Sequence, residues 1–135
     1  MNPLKISDLT LFERERMWHG LSLLQRGQSL AAHECFEEVF RQREAEVRTL
    51  FRALSQLAAA YYQLSLGRGR GARSTWNKAC RNLALVGLLS ARFQQGVDAL
   101  FSTLGAHEGC DRFVDKTAVA HVIEWPVPDN LRPEP

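Results

Sequence analysis

Apolar residues recur every three or four positions through most of the chain, the spacing that gives a helix one face to bury. Ser7 or Asp8 can cap a first helix with Leu9, Phe12, Trp18, Leu21 and Leu24 inward, and Gly27 would end it. Ser29 is the next cap, opening a second helix to about Arg43 in which Ala32, Phe36, Val39 and Phe40 form an apolar arc. The third helix, about Glu44 to Leu66, carries two apolar faces. Val47, Leu50, Phe51, Leu54, Ala58 and Tyr61 form one stripe, and Ala53, Gln56, Leu57 and Ala60 form another of mostly small side chains. Only Arg48, Arg52 and Ser55 remain as a wet strip, so this helix is predicted to be central.

Gly67-Arg68-Gly69-Arg70-Gly71 reads as a break. A fourth helix is predicted from about Ala72 to Gln95, with Trp76, Ala79, Cys80, Leu83 and Val86 inward. A short fifth, Val97 to Leu104, ends at Gly105. Trp125-Pro126-Val127-Pro128 cannot continue a helix, and Val122, Ile123 and Trp125 would anchor an extended tail. No alternation is long enough for a sheet. The expected fold is all-α: a single compact bundle of about five helices in antiparallel hairpins over 1–120, with an extended Pro-containing tail over 121–135.

Length and composition narrow the function only a little. The 135 residues suffice for one core without staples, and 45% apolar with 24% charged residues is ordinary for a globular chain. A net charge of +2 does not by itself argue for nucleic acid. Cys35, Cys80 and Cys110 are an odd number, far apart, with no C-x-x-C pair, which suits free thiols in a reducing compartment. The N-terminal run has acidic residues where a secretory leader needs an apolar core, and no apolar run reaches the roughly 20 residues that span a bilayer. A cytoplasmic location without membrane contact is expected.

The densest chemistry lies in Ala32-His33-Glu34-Cys35-Phe36-Glu37. His33 and Glu37 are one turn apart and share a helix face, whereas Glu34 points largely away from the apolar arc. A zinc-protease helix needs H-E-x-x-H, and Glu37 stands where the second histidine would be. No matching E-x-x-H segment supplies further ligands, so no metal or cofactor is expected. A partly buried Glu37 needs a partner, which His33, Arg48, Arg52 or Arg70 can provide. Gln56, set among alanines, needs partners for its amide from a neighbouring helix.

The Gly-Arg turn is a second candidate, since backbone amides and Arg68, Arg70 and Arg73 beside Gly71 attract anions. It lacks the G-K-[ST] ending of a phosphate loop and has no preceding strand. His107-Glu108-Gly109-Cys110, with His121 beyond it, matches no common zinc spacing.

Three ordered segments carry a family resemblance. They are Gly27-Gln28-Ser29-Leu30-Ala31-Ala32-His33-Glu34-Cys35-Phe36-Glu37, then Gln56-Leu57-Ala58-Ala59-Ala60, then Gly67-x-x-Arg70-Gly71-Ala72. Together they resemble the domain of unknown function 309 family over about Trp18 to Leu89. The resemblance implies a compact all-α domain, carries no established activity, and marks His33, Glu34, Glu37, Gln56, Arg70 and Gly71 as shared site positions. Phe40 stands where the family has tryptophan, Ala53 where glycine is common, Gln63 where histidine is common, and Arg68 where asparagine is common. A weaker likeness to tetratricopeptide repeats reflects shared hairpin physics, because Ala32 and Ala72 lie further apart than that repeat of about 34 residues.

The function read from these residues is a non-catalytic binding or scaffold module, with His33, Glu34, Glu37 and Gln56 as its candidate polar cluster. Its partner would be a protein, a second copy or a small ligand. The reading leans against an enzyme and assigns no catalytic residue. Two alternatives stand beside it: a hydrolase-type enzyme activating a metal or water through His33 and Glu37, and RNA or anion binding through Arg68, Arg70, Gly71 and Arg73. Nucleic acid is the less favoured partner.

Overall fold

The structure is a computed structural model that describes residues 4–89 and, beyond them, 91, 92, 94, 95 and 98. A short 3-10 turn at Ile6–Asp8 leads into the helices α1 (Leu11–Gln25), α2 (Ser29–Phe40), α3 (Ala45–Ser65) and α4 (Gly69–Leu85), and the described residues 91, 92, 94, 95 and 98 are also helical. The described residues contain no strand, and no helix among them is long and apolar enough to cross a membrane. The fold is all-α, as expected. Of the expected fifth helix, Val97 to Leu104, only Asp98 is described, and it is helical; His107, Cys110 and the tail over 121–135 lie outside the described residues.

Several helix ends have a local reason, although α2 is capped at Gln28 rather than Ser29 and without a side-chain hydrogen bond. The cap of α1 is Thr10, not Ser7 or Asp8. Thr10 Oγ1 accepts from the Glu13 amide at 3.2 Å while Glu13 Oε1 accepts from the Thr10 amide at 2.8 Å, a reciprocal box that satisfies two otherwise orphaned donors. Gly27 ends α1 with a φ of 78°, and Gly67 ends α3 with a φ of 76°, a left-handed conformation that only glycine adopts cheaply. In both places the amide after the glycine reaches back to a carbonyl five residues earlier: Gln28 to Leu23, and Arg68 to Gln63. The chain is thus two helical hairpins built alike, with Ala32, Phe36 and Val39 of the first matched by Ala72, Trp76 and Ala79 of the second. All six are buried.

Helix α3 is central. It packs on α2 along one side and on α4 along the other, so Leu50, Phe51, Leu54 and Ala58 are buried together with Ala53, Leu57 and Ala60. The ring of Phe36 meets Phe51 edge-on, with centroids 6.3 Å apart, and Tyr61 lies against Trp76 at 5.2 Å. Burying a large apolar side chain of this kind contributes about 2–3 kcal/mol. Between α1 and α2, Gly20 sits so close to Phe36 that a Cβ there would overlap the ring. At the far end the Leu4 amide donates to the Val86 carbonyl at 3.0 Å, which closes the N-terminal segment onto the end of α4.

Several sequence expectations are corrected. The Gly-Arg segment is not a five-residue break: only Gly67 and Arg68 lie outside helices, and Gly69, Arg70 and Gly71 form the first turn of α4. Helix α4 ends at Leu85, not Gln95, because Gly87 takes a φ of 72° and the Leu88 amide folds back to the Leu83 carbonyl. Phe12 is not inward but 50% exposed, with the Arg16 guanidinium 5.6 Å from its ring centre. The buried residues of α1 are Glu13, Met17, Gly20, Leu21, Leu23 and Leu24. Ser55, expected on the wet strip of α3, is 6% exposed, because α2 covers that flank.

Candidate functional site

The contact between α2 and α3 does not close along its whole length. It leaves a solvent-accessible pocket of about 430 Å³. From α2 come His33, Glu37 and Phe40, successive positions on one helix face; from α3 come Arg48, Arg52, Ser55, Gln56 and Ala59. The spacing on α3 is again helical, since 48, 52, 56 and 59 stack turn upon turn.

His33, Glu37 and Gln56 therefore meet on one pocket. Glu34 does not join them: it is exposed on the outer face of α2 and outside the pocket lining. His33 Nε2 lies 3.7 Å from Glu37 Oε1, with side chains 40% and 23% exposed. Arg41, one turn further along, approaches Glu37 Oε2 through Nε at 3.5 Å. The Glu37 carboxylate thus has a guanidinium beside it without help from α3.

Gln56 is held from behind. Asn82 of α4 donates through Nδ2 to Gln56 Oε1 at 2.8 Å. Arg48 folds over the ring of Phe40, its guanidinium carbon 4.5 Å from the centroid, a cation–π contact that positions the head on the wall. Beneath these groups, the Ser55 hydroxyl is buried and has no hydrogen-bond partner among the described residues. An unpaired buried hydroxyl costs about 1–3 kcal/mol unless something supplies its bond. Neither Ser55 nor the Arg48–Phe40 contact was singled out by the sequence pattern. The i, i+4, i+8 alignment of Arg48, Arg52 and Gln56 was the signal that could have found this wall.

No group of three His, Cys, Asp or Glu side chains that could hold a metal ion occurs among the described residues. His33 and Glu37 have no third ligand there. Burial pushes the Cys35 thiol up from its ordinary range, and its Sγ donates to the Arg16 carbonyl at 3.2 Å. Cys80 is also pushed up, first by burial and then by Asp98.

The other candidate residues lie elsewhere. Arg68 caps α4 and is exposed, Arg70 is exposed in its first turn, and Gly71 is inside the helix. Arg73 forms an ion pair with Asp98 at 2.8 Å. Arg48 and Arg68 lie at opposite ends of α3, on the order of 25–30 Å apart along its axis. Gln63 accepts from the Thr75 hydroxyl at 2.8 Å, and so ties α3 to the start of α4.

Residues 17–75 match the family described as Domain of unknown function (DUF309). That span covers α2, α3, the whole pocket lining and the Gly67 turn. No curated protein and no solved structure matches the chain.

Proposed function

We propose that this chain, whose residues 17–75 belong to the domain of unknown function 309 family, is a non-catalytic binding module that takes a small ligand between α2 and α3. The observation that carries the reading is the open pocket of about 430 Å³ between α2 and α3, on which His33, Glu37, Arg48, Arg52 and Gln56 converge. The volume of about 430 Å³ is that of a small-molecule site, and its lining is mainly polar and charged, with Phe40 and Ala59 as the apolar residues. The helices that carry it are braced from behind by Asn82 and by the fully buried Phe36 and Phe51, so the lining is held ready without a ligand.

The non-catalytic part rests on what the groups touch. Nucleophilic catalysis by a hydroxyl needs a base within hydrogen-bond reach, and Ser55 Oγ bonds to no base among the described residues. His33 is directed to Glu37 on its own helix. A fragment screen followed by amide chemical shifts tests the reading. Fragments are expected to move the amides of Ser55, Gln56 and Ala59, and Ala59→Trp, which puts bulk into the pocket from a half-buried position, is expected to abolish those shifts. Fragments that bind only elsewhere, or turnover of ester or phosphoester fragments that disappears in His33→Ala, would overturn it.

A further inference from the structure

The charges around the pocket are unevenly matched. Glu37 is its lining carboxylate, and Arg41 and His33 already lie beside it. On the opposite wall Arg48 and Arg52 project from successive turns of α3, and neither forms an ion pair among the described residues. Two like charges one turn apart are unfavourable on a helix, and an anion lying between them reverses that. The stacking of Arg48 on Phe40 holds its plane while its N–H edges stay available, as bidentate recognition of an oxyanion requires.

The neutral groups point the same way. Gln56 Oε1 is occupied by Asn82 Nδ2, which leaves the donor Nε2 as the unused end of the amide. Arg48, Arg52 and Gln56 are thus donor-bearing residues of a single wall, and the same two arginines oppose a cation. Phe40 and Ala59 supply apolar surface next to them.

We infer that the ligand of this pocket is a small organic anion, its carboxylate or phosphate held by Arg48 and Arg52 and its apolar body resting on Phe40 and Ala59. The inference rests on the binding-module reading above.

Chemical-shift titrations of the full chain with benzoate and phenyl phosphate, against benzamide and benzyl alcohol as neutral counterparts, test it. At least one anion is expected to shift the amides of Ser55, Gln56 and Ala59 and to bind about tenfold or more tightly than its neutral counterpart, an amount typical of one charge-assisted contact. Arg52→Gln and Arg48→Gln are each expected to weaken the anion about tenfold and to leave the neutral probes unchanged. A response to benzoate alone assigns a carboxylate; a response to phenyl phosphate alone assigns a phosphate; either supports the inference. Neutral probes that bind the pocket as well as the anions, with no loss in the arginine variants, would overturn the anionic ligand and leave the binding module standing. No probe reaching the pocket of the folded protein would overturn both. A single-stranded RNA oligonucleotide that moves the pocket amides together with Arg68 and Arg70, more strongly than phenyl phosphate does, would also overturn it.

Discussion

Asn82 and Gln56 are joined across the α3–α4 contact, Asn82 Nδ2 donating to Gln56 Oε1 at 2.8 Å. The bond connects α4 to the pocket wall, because Gln56 lines the pocket and also accepts from Asn82. Asn82→Ala is expected to cost about 1 kcal/mol. A double-mutant cycle with Gln56→Ala should return a coupling of about 0.5–1.5 kcal/mol by urea unfolding. Strict additivity would mean that the bond contributes nothing.

The two glycines tested most simply are Gly20 and Gly71, and they should respond in opposite directions. A Cβ at Gly20 overlaps Phe36, whose ring is fully buried and has nowhere to turn. Gly20→Ala is therefore expected to destabilise by about 1–3 kcal/mol despite its better helix propensity. At Gly71 the nearest atom would be Gln63 Nε2 at 3.4 Å, at the end of a flexible side chain. Gly71→Ala should be neutral or stabilising by up to about 1 kcal/mol. Thermal melts of the two variants decide it.

Glu13 does two jobs at the start of α1. Its carboxylate completes the Thr10 capping box and also meets Arg43 Nε at 3.0 Å, with the Glu13 side chain only 5% exposed. Arg43→Ala leaves that carboxylate buried without its cation and is expected to cost about 2 kcal/mol. Glu13→Gln keeps an acceptor for the Thr10 amide and should cost less. Equal losses in denaturant midpoint would contradict this division.

The thiols give a pH dependence. Burial raises Cys35 above its ordinary value, as it does Cys80, so the folded protein holds these protons more tightly than the unfolded chain. Stability from this source is complete below about pH 8.5, where unfolded thiols begin to ionise, and declines as the pH rises through the folded-state values. In a Cys110→Ser background, alkylation at neutral pH should be much slower than for glutathione and should become fast in denaturant. Rapid alkylation of the folded protein would contradict the assignment.

How much of this was legible before the fold was known differs from residue to residue. The two-faced pattern of α3 is explicit in Leu50, Phe51 and Leu54 against Ala53, Leu57 and Ala60, because periodicity within one helix depends only on the chain itself. Spacing alone also puts His33 and Glu37 on one face and Glu34 on another. Ser55 was not legible, because its burial depends on how far α2 overlaps α3, a distance between helices that no local pattern encodes. The Glu13–Arg43 pair and the Asn82–Gln56 bond were hidden for the same reason, each joining residues 26 or more positions apart in the chain. The start of α4 was misplaced through Gly69 and Gly71, which read as loop residues but sit in a first helical turn that the Gly67 reversal has already set.

The central claim is that the space between α2 and α3 receives a ligand. Intermolecular nuclear Overhauser contacts from bound benzoate or phenyl phosphate measure this directly. They are expected to reach the Phe40 ring and the Ala59 methyl, and to vanish in Ala59→Trp. Contacts confined to the Arg68–Arg70 end of α4, or unchanged by Ala59→Trp, would contradict it.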